Sequence, residues 1–135
     1  MEVFKKQYFL FNNSLVCDYY QTGEYFKKET DIYNYIARNT SYFFYRTETV
    51  GQDGFPDVLL LRGGFYAQIE AKMLRKKQLL RIENDLKFEF GQLPYMQRAF
   101  RLGLNYFLVV AKDDTLAAIR SVKNERKFIS YCKFT

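Results

Sequence analysis

The chain has 135 residues and a formal net charge of +6, a length that favours one domain with its own hydrophobic core. Hydrophobic residues make up 48% and aromatic residues 19% of the chain, which excludes an intrinsically disordered protein. Histidine is absent, so the commonest general base and the nucleases that depend on histidine are excluded, and carboxylates and lysines are the available catalytic groups.

The positive charge, with a pI near 9.3, favours a polyanionic partner such as nucleic acid. Cys17 and Cys132 lie near opposite ends of the chain without metal-ligand spacing, so neither a zinc site nor a disulfide framework is indicated. No stretch is long and apolar enough for a transmembrane helix, and the first residues lack the layout of a signal peptide. We therefore expect an intracellular protein, in the cytoplasm of a cell or an infected host, that does not associate with a membrane.

Residues 1–23 predict a β-hairpin, because two runs rich in aromatic residues flank the turn-forming pair Asn12-Asn13. The aromatic side chains of this hairpin could pack on the core, form a dimer surface or stack on bases. Residues 24–39 predict a helix, because Ile32, Tyr35 and Ile36 recur at intervals of three and four residues.

Residues 40–50 are rich in β-branched and aromatic side chains and predict the first core strand, which turn residues end at 51–54. Pro56 follows this turn. Its fixed φ and missing N–H suit the first residue of a strand. We expect Pro56 to direct Asp57 toward the rim of the sheet.

Residues 54–72, which read GFPDVLLLRGGFYAQIEAK, predict a second β-hairpin. The apolar run 58–61 suits a strand buried on both faces, and Gly63-Gly64 suits the turn. Side chains alternate between the two faces of a strand, so the apolar set Phe65, Ala67, Ile69 and Ala71 faces the core. The opposite face of this strand then carries Tyr66, Gln68, Glu70 and Lys72.

An Asp on one strand beside a Glu and a Lys on the next strand is typical of a Mg²⁺-dependent phosphodiesterase. Mg²⁺ prefers carboxylate, carbonyl and water oxygens in octahedral geometry. We therefore expect Asp57 and Glu70 to hold Mg²⁺ or Mn²⁺, with the Ala71 carbonyl as a further ligand. The ion would lower the pKa of a bound water, and Lys72 would orient this water or offset charge on the phosphate.

A basic run follows the hairpin directly and consists of Arg75, Lys76, Lys77 and Arg81. Basic side chains next to a metal site are well placed to hold the phosphates on either side of the scissile one. Glu83 and Asp85 make the segment mixed in sign, so a solvated helix face is the alternative interpretation.

Residues 90–103 predict a second helix, with Pro94 in its first turn and Gly103 in the left-handed position that ends it. Residues 105–111 and 116–122 predict two further strands, and 127–134 a last edge strand. The expected architecture is an α/β domain, a mixed β-sheet flanked by helices. This single domain spans 1–135 and comprises an N-terminal hairpin at 1–23, a core at 24–111 and C-terminal strands at 112–135.

The pair Pro56-Asp57 and the triplet Glu70-Ala71-Lys72 resemble the two halves of the motif of the PD-(D/E)XK nuclease superfamily. Within this superfamily, the Gly-x-Pro-Asp opening, the hairpin spacing and a later Gln are similar to the virus-type replication-repair nucleases and the Holliday-junction resolvases. The resemblance spans about residues 29–110. It implies a restriction-endonuclease-like core with the element order αβββαβ.

The resemblance also implies two further site residues. Related nucleases bring an additional acidic residue from the first helix to the metal, which indicates Glu29, with Glu24 as the alternative. They also direct a Gln from the start of the second helix into the active site, about eleven residues before the Gly that ends the helix. Gln92 and Gly103 have this spacing, and Gln97 is the alternative.

The resemblance implies Mg²⁺-dependent cleavage of DNA. It further implies that the substrate is branched DNA, that the enzyme is a homodimer, and that it acts in phage or viral replication and repair. Homing and restriction-type endonucleases share the motif and cut linear duplex DNA. A non-catalytic nucleic-acid-binding module on the same fold is a further alternative. An interaction domain with a basic surface would neither bind metal nor cleave DNA.

Overall fold

The computed structural model describes residues 14–47, 54–74 and 86–133. They form a six-stranded mixed β-sheet with one helix packed on each face. In chain order the elements are β1 (Leu15–Gln21), α1 (Glu29–Asn39), β2 (Phe43–Arg46), β3 (Val58–Arg62), β4 (Phe65–Met73), α2 (Gln92–Leu102), β5 (Tyr106–Lys112) and β6 (Thr115–Ser121). The protein is therefore an α/β protein, as predicted.

Within the described ranges, neither helix has the length and apolar character needed to cross a membrane.

The strands lie in the order β1-β6-β5-β4-β3-β2. β4 and β5 are parallel, and every other neighbouring pair is antiparallel. A parallel pair needs a crossover connection, and α2 lies in the segment that connects these two strands. β1 pairs with β6 along its whole length, whereas the other limb predicted for the N-terminal hairpin falls outside the described residues.

β5 lies inside the sheet and is covered on both faces. Burying one large apolar side chain contributes about 1.5–3 kcal/mol, so a strand with two apolar faces stabilises both layers of the core. The side chains on the α1 side are Phe107, Val109 and Ala111, and those on the α2 side are Tyr106, Leu108 and Val110. This arrangement confirms the buried strand predicted from the continuous apolar run.

α2 begins at Gln92, two residues after the predicted start, and its capping residue Gly103 is left-handed with φ 69°, as predicted. α1 begins at Glu29, so the prediction of a helix from residue 24 was wrong at its start. The reason is local: the Asp31 carboxylate accepts the backbone N–H groups of Lys27 and Lys28 at 2.8 and 3.1 Å. These bonds hold the chain in a turn ahead of the helix.

The predicted strand at 40–50 is shorter in the structure, where β2 covers Phe43–Arg46 and residues 48–50 lie outside the described ranges. The Thr40 hydroxyl accepts the Tyr42 N–H at 3.0 Å. This local turn uses a backbone donor and delays the start of the strand.

The prediction of an edge strand at 127–134 was wrong. The chain forms a short 3₁₀-helix at Phe128–Ser130 and a single β-bridge between Thr40 and Cys132. Phe128 and Tyr131 are both buried against Phe107, with ring centroids 5.4 and 5.6 Å from it. A spacing of three residues suits a 3₁₀ turn, in which such side chains eclipse, and a strand would separate them.

The loop that enters β3 touches the start of α2. Gly54 has φ 82°, and a Cβ atom on it would lie 2.0 Å from the carbonyl oxygen of Gly91. Only glycine fits there, because every other residue would overlap this backbone and adopt a strained φ. The contact holds the Pro56-Asp57 segment in a defined position relative to α2.

We expect the Gly54→Ala substitution to lower the free energy of unfolding by about 2–4 kcal/mol, through the left-handed φ and the overlap with Gly91. Urea denaturation followed by circular dichroism measures the change. Gly64→Ala is the matched control, because no atom lies within 4 Å of a Cβ built there and its φ is not left-handed. An equal loss in both variants would contradict the proposed close contact.

Candidate active site

The register of the β3–β4 hairpin brings Asp57 and Glu70 together. Gly63-Gly64 forms the turn, and Val58 is paired with Ile69 at the far end of the ladder. Continuing this register by one residue places Asp57 opposite Glu70. Side chains directly opposite each other in an antiparallel pair have Cβ atoms about 5 Å apart. The two carboxylates predicted to share a cation are therefore neighbours.

Thr47, which follows β2, holds the Pro56-Asp57 backbone. Its N–H donates to the Asp57 carbonyl at 3.0 Å, and its hydroxyl donates to the Pro56 carbonyl. Thr47 is buried, whereas Asp57 is half-buried. The carboxylate therefore projects from an anchored backbone and remains accessible from one side.

Glu70 is almost completely buried, with 1% of its surface exposed. Neither of its carboxylate oxygens has a hydrogen-bond partner among the described residues. The pKa of Glu70 is raised to about 9, mainly by burial. The negative charge of Asp57 raises this pKa further, and the Lys72 ammonium lowers it. A buried acid with no donor and a second acid opposite it needs a proton or a cation between the two.

The residues present fit a magnesium ion. Mg²⁺ is usually bound through one or two carboxylates and keeps several waters, so Asp57 and Glu70 suffice. In residues 14–47, 54–74 and 86–133 no three acidic or cysteine side chains converge on one point, so the described residues offer a two-carboxylate site. The Ala71 side chain packs in the core beneath α1, which leaves only its backbone carbonyl as a possible ligand.

Lys72 is held in place by α2. Its Nζ donates to Gln92 Oε1 at 2.7 Å and lies 5.3 Å from the centroid of the Phe88 ring. The same Gln92 oxygen accepts the Glu89 N–H at 2.8 Å. Lys72 and Gln92 are both buried, so the ammonium group has a defined position beside Glu70.

The alternative glutamine lies elsewhere. Gln97 is exposed and lines a cavity of about 290 Å³ with Phe100, Ser121 and Lys123. Gln92, at the start of α2, is thus the glutamine that the structure brings to Lys72.

α1 contributes to the site from its first turn. Glu29 and Tyr33 are four residues apart and therefore share a helix face. The Tyr33 hydroxyl donates to Asp57 Oδ2 at 2.5 Å, and burial followed by this bond raises the Tyr33 pKa, so the hydroxyl stays protonated. The negative charge of Glu29 is also a minor cause of the raised pKa of Glu70.

Glu24, the alternative to Glu29, is at the surface in an ion pair with Arg38, with 2.8 Å between Oε1 and the guanidinium nitrogen. Glu29, on the α1 face that carries Tyr33, therefore stays the candidate for the acidic residue that α1 contributes.

The sequence reading missed several residues around the site. The Arg46 guanidinium lies 4.4 Å from the centroid of the Tyr33 ring, and the Tyr95 hydroxyl donates to Gln68 Oε1 at 2.8 Å. The spacing from Glu29 would have indicated Tyr33, whereas strand alternation did place Gln68 on the face of Glu70 and only its partner Tyr95 was missed. The basic residues Arg75, Lys76, Lys77 and Arg81, predicted to bind phosphates, lie outside the described residues.

Comparisons of the chain with protein-family models, curated protein sequences and solved structures found no match to any of them. The resemblance to the PD-(D/E)XK nucleases therefore stays a prediction, and the geometry of the site has to carry the functional argument.

We expect the metal-free protein to lose stability as the pH rises from about 5 to 9. The pKa of Glu70 is raised from 4.5, its ordinary value, to about 9 in the folded protein. The stabilisation that protonated Glu70 contributes is therefore complete below about pH 4.5 and is lost as the pH rises through about 9. The slope from one such group is at most about 1.4 kcal/mol per pH unit. The absence of histidine removes the side chains that normally titrate in this range.

Urea denaturation in EDTA across this pH range measures the slope. Glu70→Gln should flatten it and unfold at a higher urea concentration than the wild type at pH 8. Glu24→Gln is the control, because the exposed Glu24 pairs with Arg38, and it should leave the slope unchanged. A wild-type stability that does not depend on pH would show that Glu70 is not buried beside Asp57.

Proposed function

We propose that the protein is a metal-dependent nuclease that hydrolyses phosphodiester bonds of DNA with Mg²⁺ or Mn²⁺, on a restriction-endonuclease-like core. One observation carries this proposal. A buried Glu70 carboxylate without a hydrogen-bond donor faces Asp57, and the Lys72 ammonium is held beside it. Such an arrangement is costly in a protein that binds no cation, and strongly perturbed groups of this kind cluster at functional sites.

Asp57 and Glu70 supply the carboxylate oxygens, and the Ala71 carbonyl is a further possible ligand. When bound, the divalent ion lowers the pKa of a coordinated water and offsets negative charge on the phosphate. Tyr33 fixes the orientation of the Asp57 carboxylate by donating to one of its oxygens. Glu29, half-buried at the start of α1, adds negative charge that strengthens the attraction for a cation.

Lys72 acts on the substrate side of the carboxylates. An ammonium group has three N–H donors, one of which is directed at Gln92, and the others can hold the attacking water or a phosphate oxygen. Gln92 accepts hydrogen bonds from both Lys72 and the Glu89 backbone. These bonds hold the ammonium group apart from the two carboxylates. In this proposal Gln92 therefore acts by positioning Lys72.

The substrate follows from charge and from the resemblance together. A net charge of +6 favours a polyanion, and Arg75, Lys76, Lys77 and Arg81 follow the site in sequence. The resemblance favours branched DNA and a homodimer, in the cytoplasm of a cell or an infected host. Cleavage of linear, nicked, flapped and four-way DNA substrates, with the mass of the protein measured in solution, separates this activity from restriction-type cutting of linear duplex.

We expect Mg²⁺ to stabilise the wild-type protein and to leave Asp57→Asn and Glu70→Gln unaffected. A ligand that binds only the folded state stabilises it by about 2.7 kcal/mol at a hundred times its dissociation constant. Thermal denaturation with increasing Mg²⁺ or Ca²⁺ measures the shift. Asp113→Asn, a carboxylate in the β5–β6 turn, should respond as the wild type does. An equal Mg²⁺ response in all variants would place the cation elsewhere.

We expect Asp57→Asn, Glu70→Gln and Lys72→Ala each to lower the rate of DNA cleavage by at least about 100-fold, since each removes a group that stabilises the transition state. Relaxation of supercoiled plasmid with Mg²⁺ or Mn²⁺ measures the rate. DNA affinity in Ca²⁺ should change little. Lys123→Ala is the control for Lys72, because the ammonium group of this exposed lysine donates to the Arg101 carbonyl at 3.1 Å, away from the candidate active site.

Two outcomes would oppose this function. A wild-type protein that binds DNA without cutting any substrate of the panel would indicate the non-catalytic binding module. Cleavage that survives in Lys72→Ala and Glu70→Gln would show that another part of the chain, or a contaminant, performs the reaction.

A further inference from the structure

Two arginines of the outer strands lie on the same face of the sheet as α1. Phe44 of β2 and Leu60 of β3 pack into the core on this side, and side chains two positions further along a strand share its face. These positions are Arg46 and Arg62, and both side chains are exposed. Arg126, from the segment between β6 and the 3₁₀-helix, lies beside them at the hairpin tip. The three are named the arginine group below.

Each guanidinium of the arginine group lies over an aromatic ring. The pairs are Arg46 over Tyr33 at 4.4 Å from the ring centroid, Arg62 over Tyr42 at 5.5 Å and Arg126 over Phe65 at 4.6 Å. Arg126 also donates to the Tyr42 hydroxyl at 3.5 Å, so Tyr42 contacts both Arg62 and Arg126. A guanidinium that stacks on a ring is held in place and keeps N–H donors at its edge for an anion.

No acidic side chain neutralises the arginine group at the hairpin tip. In the described part of the chain, neither Arg62 nor Arg126 forms an ion pair with a carboxylate. Residues 40–47 and 58–69 contain no acid, and Glu125 precedes Arg126 in sequence without pairing with it. Two guanidinium groups on one tyrosine repel each other. A phosphate relieves this repulsion, because its oxygens accept from the planar fork of an arginine in pairs.

The other end of the arginine group reaches the candidate active site. The Tyr33 hydroxyl donates to Asp57 Oδ2, so the ring under Arg46 is bonded to a predicted metal ligand. Continuing the β2–β3 register by one residue places Arg62 opposite a position four residues from Arg46. Four residues of a strand span roughly 13 Å. This length corresponds to roughly four phosphates along one strand of duplex DNA.

We propose that the arginine group binds the phosphodiester backbone of a nucleic acid on one side of the scissile bond. Arg46 contacts the phosphate nearest the carboxylates, and Arg62 and Arg126 contact phosphates roughly four steps away. The inference rests on the proposed function for the position of the scissile bond. The contacts are made to phosphates and carry no sequence information. They need neither the metal ion nor the catalytic carboxylates, so they can be measured without cleavage.

The test is fluorescence anisotropy with two labelled DNA duplexes of unrelated sequence, in EDTA, over a series of KCl concentrations. The logarithm of the affinity falls with the logarithm of the salt concentration, by a slope of about 0.9 for each phosphate neutralised. Arg62→Ala/Arg126→Ala should make this slope shallower by about 1.8, and Arg46→Ala by about 0.9. Both duplexes should lose affinity equally, at least about tenfold at low salt for the double variant.

The matched control is Arg98→Ala/Arg101→Ala, which removes the same charge from two exposed arginines of α2 and should leave the slope unchanged. Arg62→Lys/Arg126→Lys keeps both charges and should keep the slope. Arg62→Ala alone removes one exposed side chain and should make the slope shallower by about 0.9. This single variant decides the question if circular dichroism shows that the double variant does not fold.

Three results overturn the inference: an equal change of slope in the α2 control, an unchanged slope in Arg62→Ala, or tighter binding of labelled oligoglutamate than of DNA, which would indicate an acidic protein partner. Cleavage by a wild type whose salt slope does not depend on these arginines would retain the proposed function and overturn the inference. The expected slopes in a protein that cuts no substrate would overturn the proposed function and leave the arginine group supported as a binding site.

Discussion

The hairpin register of β3 and β4 is the constraint on which the site depends. Gly63 has φ 57° and closes a two-residue turn, and the ladder then runs without interruption to Val58 and Ile69. A slip of one residue would move every side chain of a strand to the other face, which would send Glu70 into the core and Ile69 to the carboxylate side. The apolar packing of Ile69 and Ala71 against α1 therefore also holds the acids in place.

The same strand carries an electrostatic cost that the rest of the fold has to offset. Glu70 is buried close to Asp57, and no donor among the described residues forms a hydrogen bond with its carboxylate. The positive charge of Lys72 offsets only part of the repulsion between the two acids. β5 and the cluster beneath α2 surround this region with fully buried apolar side chains. A stable core can thus hold two acids in a position that a solvated hairpin would not keep.

Both helices reach the site through their first turns. Glu29 is the first residue of α1 and Gln92 is the first residue of α2. The contact between Gly54 and Gly91 joins the strand entrance to α2, and Thr47 joins it to β2. Elements distant in sequence therefore share one rigid frame.

Local patterns were enough to predict the hairpin, the shared face of Glu70 and Lys72, and α2 with its glycine end, because strand alternation and helix capping depend on neighbouring residues. The same patterns predicted the start of α1 too early and predicted a strand where the structure has a 3₁₀-helix, at Phe128–Ser130. There Asp31 bonds to backbone groups outside the helix, and Phe128 and Tyr131 pack on Phe107.

Contacts between distant residues decided the rest. The bonds from Tyr33 to Asp57 and from Lys72 to Gln92 join residues 24 and 20 positions apart, and no spacing rule specifies such pairs. The amino-acid order determined which chemical groups a strand presents on each face, since that depends only on the pleat. Their environment, including the burial that raises the pKa of Glu70, arose only when the helices closed over the sheet, because desolvation is a property of the packed molecule.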